Sequence, residues 1–322
     1  MIELSLVIPA HNVEKYIERC LNSIFSQNVD ESRYEVIVID DGSTDGTLRI
    51  LKRLSESHGN LHIISQENQG VSIARNRGLG MAVGEYVWFV DADDYIMSNA
   101  FLVLAEYVSD SHLEVLFFGM NIETIDGVLK RCLVQDVPKR IQMSGISVVK
   151  QGYYPTSACL ALWRKSYLDK IDLLFEPGLK YGEDSLFSFS AVVQAEKVMF
   201  IDEVLYVYSI YPNSTTTTKY NSDKLLMSRL DDVKAICSLR YLSVRYSKLN
   251  PAISLMTRNQ YQKILFGLLI SLYRNKQWRQ YNVQSEVISR LKKEQLYPVK
   301  GPFESWKKRV ASIFLNMEFL IS

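Results

Sequence analysis

The stretch Tyr86-Val87-Trp88-Phe89-Val90-Asp91-Ala92-Asp93-Asp94 constrains the fold more than any other. Five apolar or aromatic residues in a row, rich in β-branched and ring side chains, read as a strand covered on both faces. That strand runs straight into three carboxylates. Acids at the end of a buried strand repel one another and resist desolvation, so something cationic should meet them there. A divalent cation is the simplest candidate. Asp91 and Asp93 are two residues apart, so on an extended chain both face the same way, towards the crevice in which open α/β sheets hold ligands. All-oxygen ligation suits Mg2+ or Mn2+, held through one or two carboxylates together with substrate phosphates. Taken alone, an Asp-rich tripeptide is more often a plain solvated turn, and the surrounding sequence shifts that balance.

The residues before this stretch repeat its logic. Leu4 to Ile8 is an apolar strand, expected to end at Pro9, which has no N–H for a central ladder. His11 and Asn12 precede a helical pattern at Val13, Tyr16, Ile17, Cys20, Leu21 and Ile24. Val36 to Ile39 is a second strand running into Asp40 and Asp41, and Asp45 can cap a helix over Thr47 to Leu54. A third strand, Leu61 to Ser65, leads through Gly70 to a helix over Val71 to Met81 that carries Arg75. Strands alternating with helices to about residue 110 predict a parallel, doubly wound sheet. The chain has neither the GxGxxG of a dinucleotide site nor the GxxxxGK[ST] of a phosphate loop, so neither site type applies.

Charge divides the chain. Residues 1 to 218 carry 18 Lys and Arg against 29 Asp and Glu, a balance of −11, and residues 219 to 322 carry 19 against 7, a balance of +12. Two regions facing different partners are expected: an acidic α/β domain over 1–218, and a basic, mainly helical region over 219–322. Helices are predicted over Leu225 to Tyr246, Ala252 to Tyr273, Val283 to Lys292 and Ser305 to Leu320. The last joins Lys307, Lys308 and Arg309 to an apolar face, a pattern that suits an anionic membrane surface, an oligomer contact or a solvated basic face. No nucleic-acid recognition motif accompanies the charge, so nucleic acid is not an expected partner. The longest strongly apolar run, Ile264 to Leu272, is nine residues, too short for a membrane span. Met1-Ile2-Glu3 leads directly into a strand, so a cytoplasmic chain without a signal segment is expected. Cys20, Cys132, Cys159 and Cys237 lack metal-ligand spacing and read as free thiols.

Five segments in order, Ser5 to Asn12 (SLVIPAHN), Asp40 to Thr47 (DDGSTDGT), Asn68 to Gly78 (NQGVSIARNRG), Gly84 to Asp94 (GEYVWFVDADD) and Tyr181 to Phe187 (YGEDSLF), together resemble a family-two glycosyltransferase with the GT-A fold. The resemblance covers about the first 210 residues. It implies an α/β, Rossmann-like, mostly parallel sheet flanked by helices, with a mainly helical C-terminal region. It implies a nucleotide-sugar donor, UDP-linked by preference, and a glycan or polyprenyl-linked acceptor in surface polysaccharide synthesis. On this resemblance Asp41 accepts the ring N–H of the base, with Pro9 and His11 lining it. A carboxylate accepts as readily from thymine or guanine, so uracil is a preference only. Arg75 adds positive charge near the diphosphate, Asp93 holds the Mn2+ or Mg2+, and Asp91 assists at the ribose or the metal.

Glu183 and Asp184 follow Gly182 at the start of an apolar helix, where acids also serve simply as first-turn caps. The resemblance assigns Asp184 as the general base, with Glu183 orienting it or the acceptor, and implies single displacement with inversion. Trp163, Tyr153 and Tyr154 are candidates for stacking on sugar rings, though aromatics at such density are more often core. The arginine or histidine that relatives often carry before a serine near the diphosphate is missing from Ser209 to Thr218, and Lys219 is a candidate replacement in a Ser/Thr-rich loop. Two rival readings stay open, a catalytically silent sugar-nucleotide-binding scaffold and a nucleotidyltransferase. The latter should show a basic glycine-rich N-terminal loop, which Pro9 to Val13 is not.

Overall fold

The computed structural model describes residues 3–108, 112–153, 156–211, 222–274, 282–303 and 305–316. The chain divides into two compact units, Met1–Gly178 with Phe187–Thr218, and Leu179–Leu186 with Lys219–Ser322.

In the first unit β1 (Leu4–Ala10), β2 (Tyr34–Asp41), β3 (Leu61–Gln66) and β4 (Tyr86–Phe89) alternate with α1 (Ile17–Phe25), α2 (Thr47–Ser55) and α3 (Val71–Met81). There follow β5 (Tyr95–Ile96), α4 (Ala100–Val108), β6 (Val115–Thr124), β7 (Leu129–Leu133), α5 (Gly145–Lys150), β8 (Ala161–Arg164), α6 (Lys165–Ile171), α7 (Glu183–Gln194), whose first four residues are grouped with the second unit, and β9 (Val198–Ile210). The strands form one nine-stranded sheet in the order β3-β2-β1-β4-β8-β6-β9-β5, with β7 beside β6. β3, β2, β1 and β4 are mutually parallel. β8 then runs antiparallel to both β4 and β6, while β6 and β9 are parallel. Every residue of β2 and β4 is buried, as continuous apolar runs in a parallel sheet require.

The expectation that β1 ends at Pro9 is corrected: the strand runs to Ala10, with Pro9 opposite Ile39 of β2. Its pairing with β4, however, stops at Val7 opposite Phe89. Pro9 therefore stands where β1 has a single neighbour, and its missing N–H costs no ladder bond. This is also where the strand order reverses, and the diverging carboxyl ends of β1 and β4 open the crevice of a doubly wound sheet.

Two polar side chains inside these strands have a structural task. Ser5 Oγ donates to Glu35 Oε1 at 2.5 Å, and these two atoms accept the backbone N–H of Gly84 and Val83, each at 2.8 Å. A Cβ on Gly84 would lie 2.7 Å from the nitrogen and the hydroxyl of Ser5, so the turn that launches β4 needs glycine. The core beneath is aromatic. Trp88 is fully buried with Nε1 donating to the Cys159 carbonyl at 2.8 Å, and the Phe117 ring stacks on that of Phe200. Trp163 belongs to the same core at 0% exposure, its Nε1 on the Ala158 carbonyl, which removes it as a sugar-stacking surface. Tyr153 packs edge-on against Phe117 and Phe200, and Tyr154 lies outside the described residues.

The second unit is helical: α8 (Ser222–Arg245), α9 (Pro251–Arg274), α10 (Val283–Lys293) and α11 (Trp306–Leu315). Val233, Ile236, Leu265, Leu269, Val287 and Leu291 are among its core residues. α11 joins that core through Leu315, with Asn316 clasping both backbone groups of Val299 at 2.6 and 3.0 Å. Val310 and Ile313 of α11 remain exposed. The expected extension of this helix beyond 316 and the Ser/Thr-rich stretch with Lys219 both lie outside the described residues. No helix among the described residues is long and apolar enough to cross a membrane.

Candidate active site

Three loops meet at the carboxyl ends of β2, β1 and β4. The first two are laced together. Asn12 Oδ1 accepts from Thr44 N at 2.8 Å, Val13 N donates to Thr47 Oγ1 at 2.9 Å, and Glu14 Oε2 accepts from Gly46 N at 2.7 Å. α1 consequently begins at Ile17, four residues after the apolar periodicity starts, because residues 12–14 are committed to the neighbouring loop. Asp45 does not cap α2 from the N-cap position, which Gly46 occupies; its Oδ1 instead closes a turn onto the N–H and hydroxyl of Thr47.

His11 donates from Nδ1 to the Asp41 carbonyl at 2.8 Å, which fixes the tautomer and turns Nε2 towards the Asn12 and Asn68 amides at 3.1 and 3.2 Å. Asp41 itself is 4% exposed. Its Oδ1 accepts from Gln66 Nε2 at 2.8 Å and Gln69 N at 2.9 Å, and its Oδ2 from Gly70 N at 2.8 Å. Asp41 thus holds the turn that starts α3, and its oxygens keep acceptor capacity beyond these three bonds. Pro9 is half-buried and His11 exposed at the lip of this crevice.

α3 carries Arg75 beneath the acidic turn. The Arg75 guanidinium is buried, lies 5.2 Å from the centre of the Phe175 ring, and meets Asp91 Oδ1 at 2.7 Å. The next residue, Asn76, clasps Phe175 through both backbone groups, each at 2.8 Å. The positive charge expected from Arg75 near the diphosphate is therefore paired with Asp91, the carboxylate expected at the ribose or the metal.

Residues 91 to 94 form a tight turn, closed by Asp94 N on the Asp91 carbonyl at 3.0 Å, rather than an extended strand end. Asp93 is pushed above the ordinary carboxylate range by burial and by the Asp91 charge, and Tyr211 Oη donates to its Oδ2 at 2.5 Å. Asp94, 1% exposed, is raised further by burial and by the charges of Asp91 and Asp93. It accepts from Ser209 N at 2.8 Å and from Tyr206 Oη at 2.7 Å, tying the turn to β9. Arg19 of α1 adds a second tie, its Nη2 donating to the Asp93 carbonyl at 2.8 Å and to Ser209 Oγ at 2.7 Å.

Buried, crowded carboxylates fit a hard cation, which would offset both the loss of water and the like-charge repulsion that raise them. Among the described residues no group of three or more His, Cys, Asp or Glu is arranged to hold a metal alone. Asp91 and Asp93 would thus hold it together with water and ligand oxygens, the usual arrangement for Mg2+ and Mn2+. Glu183 and Asp184 open α7 in the residues grouped with the second unit, in the first turn, where the helix dipole favours acids.

Asn76, Asp94, Tyr206, Tyr211 and Arg19 were not singled out by the sequence. The adjacency of Asp94 to Asp93 was the one available signal, and it does not say which of three acids turns inward.

A family model described as glycosyl transferase family 2 matches residues 5–171. The chain belongs to that family. The uncharacterized glycosyltransferase EpsJ of Bacillus subtilis is 31% identical over 227 residues, covering 67% of this chain and 64% of EpsJ. The poly(ribitol-phosphate) beta-N-acetylglucosaminyltransferase TarS of Staphylococcus aureus is 30% identical over 211 residues, 65% of this chain and 36% of TarS. The chain therefore spans less than two thirds of the length of these two relatives. Its fold is that of the S. aureus TarS 1-349 crystal structure in complex with UDP-GlcNAc, at TM-score 0.60 and 23% identity over 99% of this chain and 90% of that one. It is also that of the mannosyltransferase PcManGT from Pyrobaculum calidifontis in complex with GDP-Man and Mn2+, at TM-score 0.55 and 16% identity, covering 98% and 87%.

Proposed function

We propose that this chain is an inverting glycosyltransferase that moves a sugar from a nucleotide-diphosphate donor, a UDP-sugar, to a glycan or lipid-linked acceptor of a surface polysaccharide. The observation that carries the reading is the acidic turn Asp91–Asp94 backed by the buried Arg75, at the point where the strand order reverses. Family membership and the donor-bound relatives of the same fold support it.

In this reading the base lies against Pro9 and His11 and offers its ring N–H to Asp41. Arg75 keeps Asp91 turned towards the ribose and the metal. Asp93 and Asp91 would hold Mn2+ or Mg2+, which would supply positive charge against that building on the leaving diphosphate. Asp184 takes the proton of the acceptor hydroxyl, whose oxygen attacks the anomeric carbon opposite the breaking bond, and the electron pair of that bond leaves with the nucleotide diphosphate. Glu183 orients Asp184 or the acceptor. One displacement inverts the anomeric centre, with no covalent sugar–enzyme intermediate. The exposed Val310 and Ile313 beside the basic run of α11 support a peripheral contact with an anionic membrane surface, where lipid-linked acceptors would be met.

The test is release of the nucleotide from a panel of UDP-, GDP- and dTDP-sugars with a glycan acceptor extract, for the wild type and Asp184→Asn. The reading predicts metal-dependent transfer by the wild type, and a variant that binds donor but transfers at least a hundredfold more slowly, since a positioned base supplies on the order of 10²–10⁴-fold. Normal transfer by Asp184→Asn would remove the base assignment.

A further inference from the structure

We infer that Asp231, on α8, is a positioning residue for the Glu183–Asp184 pair. This deepens the reading of Asp184 as the base and rests on it.

Asp231 is 4% exposed in a helix whose inward neighbours, Val233 and Ile236, are apolar. The desolvation of a carboxylate in such a place must be offset by hydrogen bonds. It receives them from a segment some fifty residues away in sequence: Asp231 Oδ2 accepts from Lys180 N at 2.9 Å and from Tyr181 N at 3.2 Å. Two successive backbone N–H groups converging on one oxygen make a small anion-binding concavity, here filled by a side chain. Oδ1 meets Lys234 Nζ at 3.1 Å, a pair whose lysine is partly in solvent and which adds little. A second contact comes from the same helix, with the Lys224 ammonium 5.9 Å from the centre of the Tyr181 ring.

The clamp matters because of its place in the chain. Gly182 comes next, at φ +80°, a conformation L side chains rarely adopt. Leu186 N donates to its carbonyl at 3.0 Å, and Glu183 and Asp184 begin α7 at once. Only this glycine pivot separates the fixed Tyr181 from the acidic pair. Holding residues 180 and 181 therefore sets the direction in which α7 starts and the placement of both carboxylates. Releasing them frees a hinge directly before the base, and a displacement of about 1 Å at a reacting group costs on the order of a hundredfold in rate.

The experiment compares Asp231→Ala, Asp231→Asn and Asp184→Asn by hydrogen exchange of residues 179–186, by UDP affinity with Mn2+, and by turnover of the fastest substrate among UDP-linked glucose, galactose and their N-acetyl forms. Asp231→Ala should exchange at 180–184 at least tenfold faster while the α9 core around Leu265–Leu272 keeps its protection. Its kcat should fall at least tenfold with UDP affinity unchanged. Asp231→Asn keeps an acceptor oxygen and should recover both readouts to within about threefold. Should Asp231→Ala loosen the α9 core as well, Asp231→Glu decides: it keeps the charge but moves the clamp outward by one methylene, and must lower kcat at constant UDP affinity. Wild-type exchange at 180–184 in Asp231→Ala overturns the inference. So does wild-type turnover in Asp231→Ala or Asp231→Glu when Asp184→Asn is inactive, and that result leaves the base assignment standing. Full activity in Asp184→Asn removes both.

Discussion

Asp41 offers the most quantitative test of how the donor crevice is built. Its carboxylate collects three N–H donors from the turn before α3, two of them backbone groups, all between 2.8 and 2.9 Å. Hydrogen bonds to a charged acceptor contribute about 1.5 to 3 kcal/mol each, and a donor left buried without a partner costs a similar amount. Three bonds at the low end, reduced because they share one acceptor group, put Asp41→Ala at about 3 to 5 kcal/mol of destabilisation. Asp41→Asn keeps one oxygen for Gln66 and Gln69 but sets its amide N–H against that of Gly70, a loss of about 2 kcal/mol. At roughly 2 to 4 °C per kcal/mol for a domain of this size, the melting temperature should fall by about 6 to 20 °C in Asp41→Ala and about 4 to 8 °C in Asp41→Asn. Scanning calorimetry of the three proteins reads both values. Two variants melting within about 2 °C of the wild type would refute the assignment of Asp41 as the organiser of this turn.

Other outcomes rest on the same geometry. Tyr211→Phe removes the hydroxyl that donates to Asp93, so Mn2+ should bind the nucleotide-free variant roughly tenfold more tightly, the scale of a charge-assisted hydrogen bond. Manganese titration by electron spin resonance measures it, and equal or weaker binding would contradict the competition. Cys132 is exposed, Cys20 and Cys159 are buried, burial with nearby acids holds the Cys20 thiol well above its usual range, and burial pushes Cys237 up to about 11. Because the thiolate is the reactive form, Ellman's reagent at pH 8 should find one fast thiol in the native protein and four after denaturation. Raising the pH to 10 should bring in Cys237 before Cys20; two or more fast thiols at pH 8 would overturn the burial described.

The periodic elements were legible in the sequence because each buries its apolar residues locally: β3 and α3 fall within one residue of their expected bounds, and α8 to α10 within a turn. The family segments carried the fold for a similar reason, since Gly84 sits where no side chain fits and Asp41 where three donors converge. What escaped was long-range. That β1 passes through Pro9 depends on where β4 stops pairing with it. That Asp94 rather than Asp91 turns inward depends on Tyr206 and Ser209, more than a hundred residues away. A local pattern also reported Trp163 only as aromatic; whether it faces a sugar or the core was decided by Ala158 and Phe187. The pairing of Arg75 with Asp91 is of the same kind: each was marked separately, and only the fold joins α3 to the turn after β4.

The central claim is that the acidic turn and the Asp41 crevice bind a nucleoside diphosphate with a divalent cation. Calorimetric titration of UDP into the protein, with Mn2+ and then with chelator, tests it most directly. Binding with Mn2+ that weakens at least tenfold in chelator, and that Asp93→Ala reduces to the chelator level, is the predicted result. No heat of binding for UDP, GDP or dTDP under either condition would contradict it.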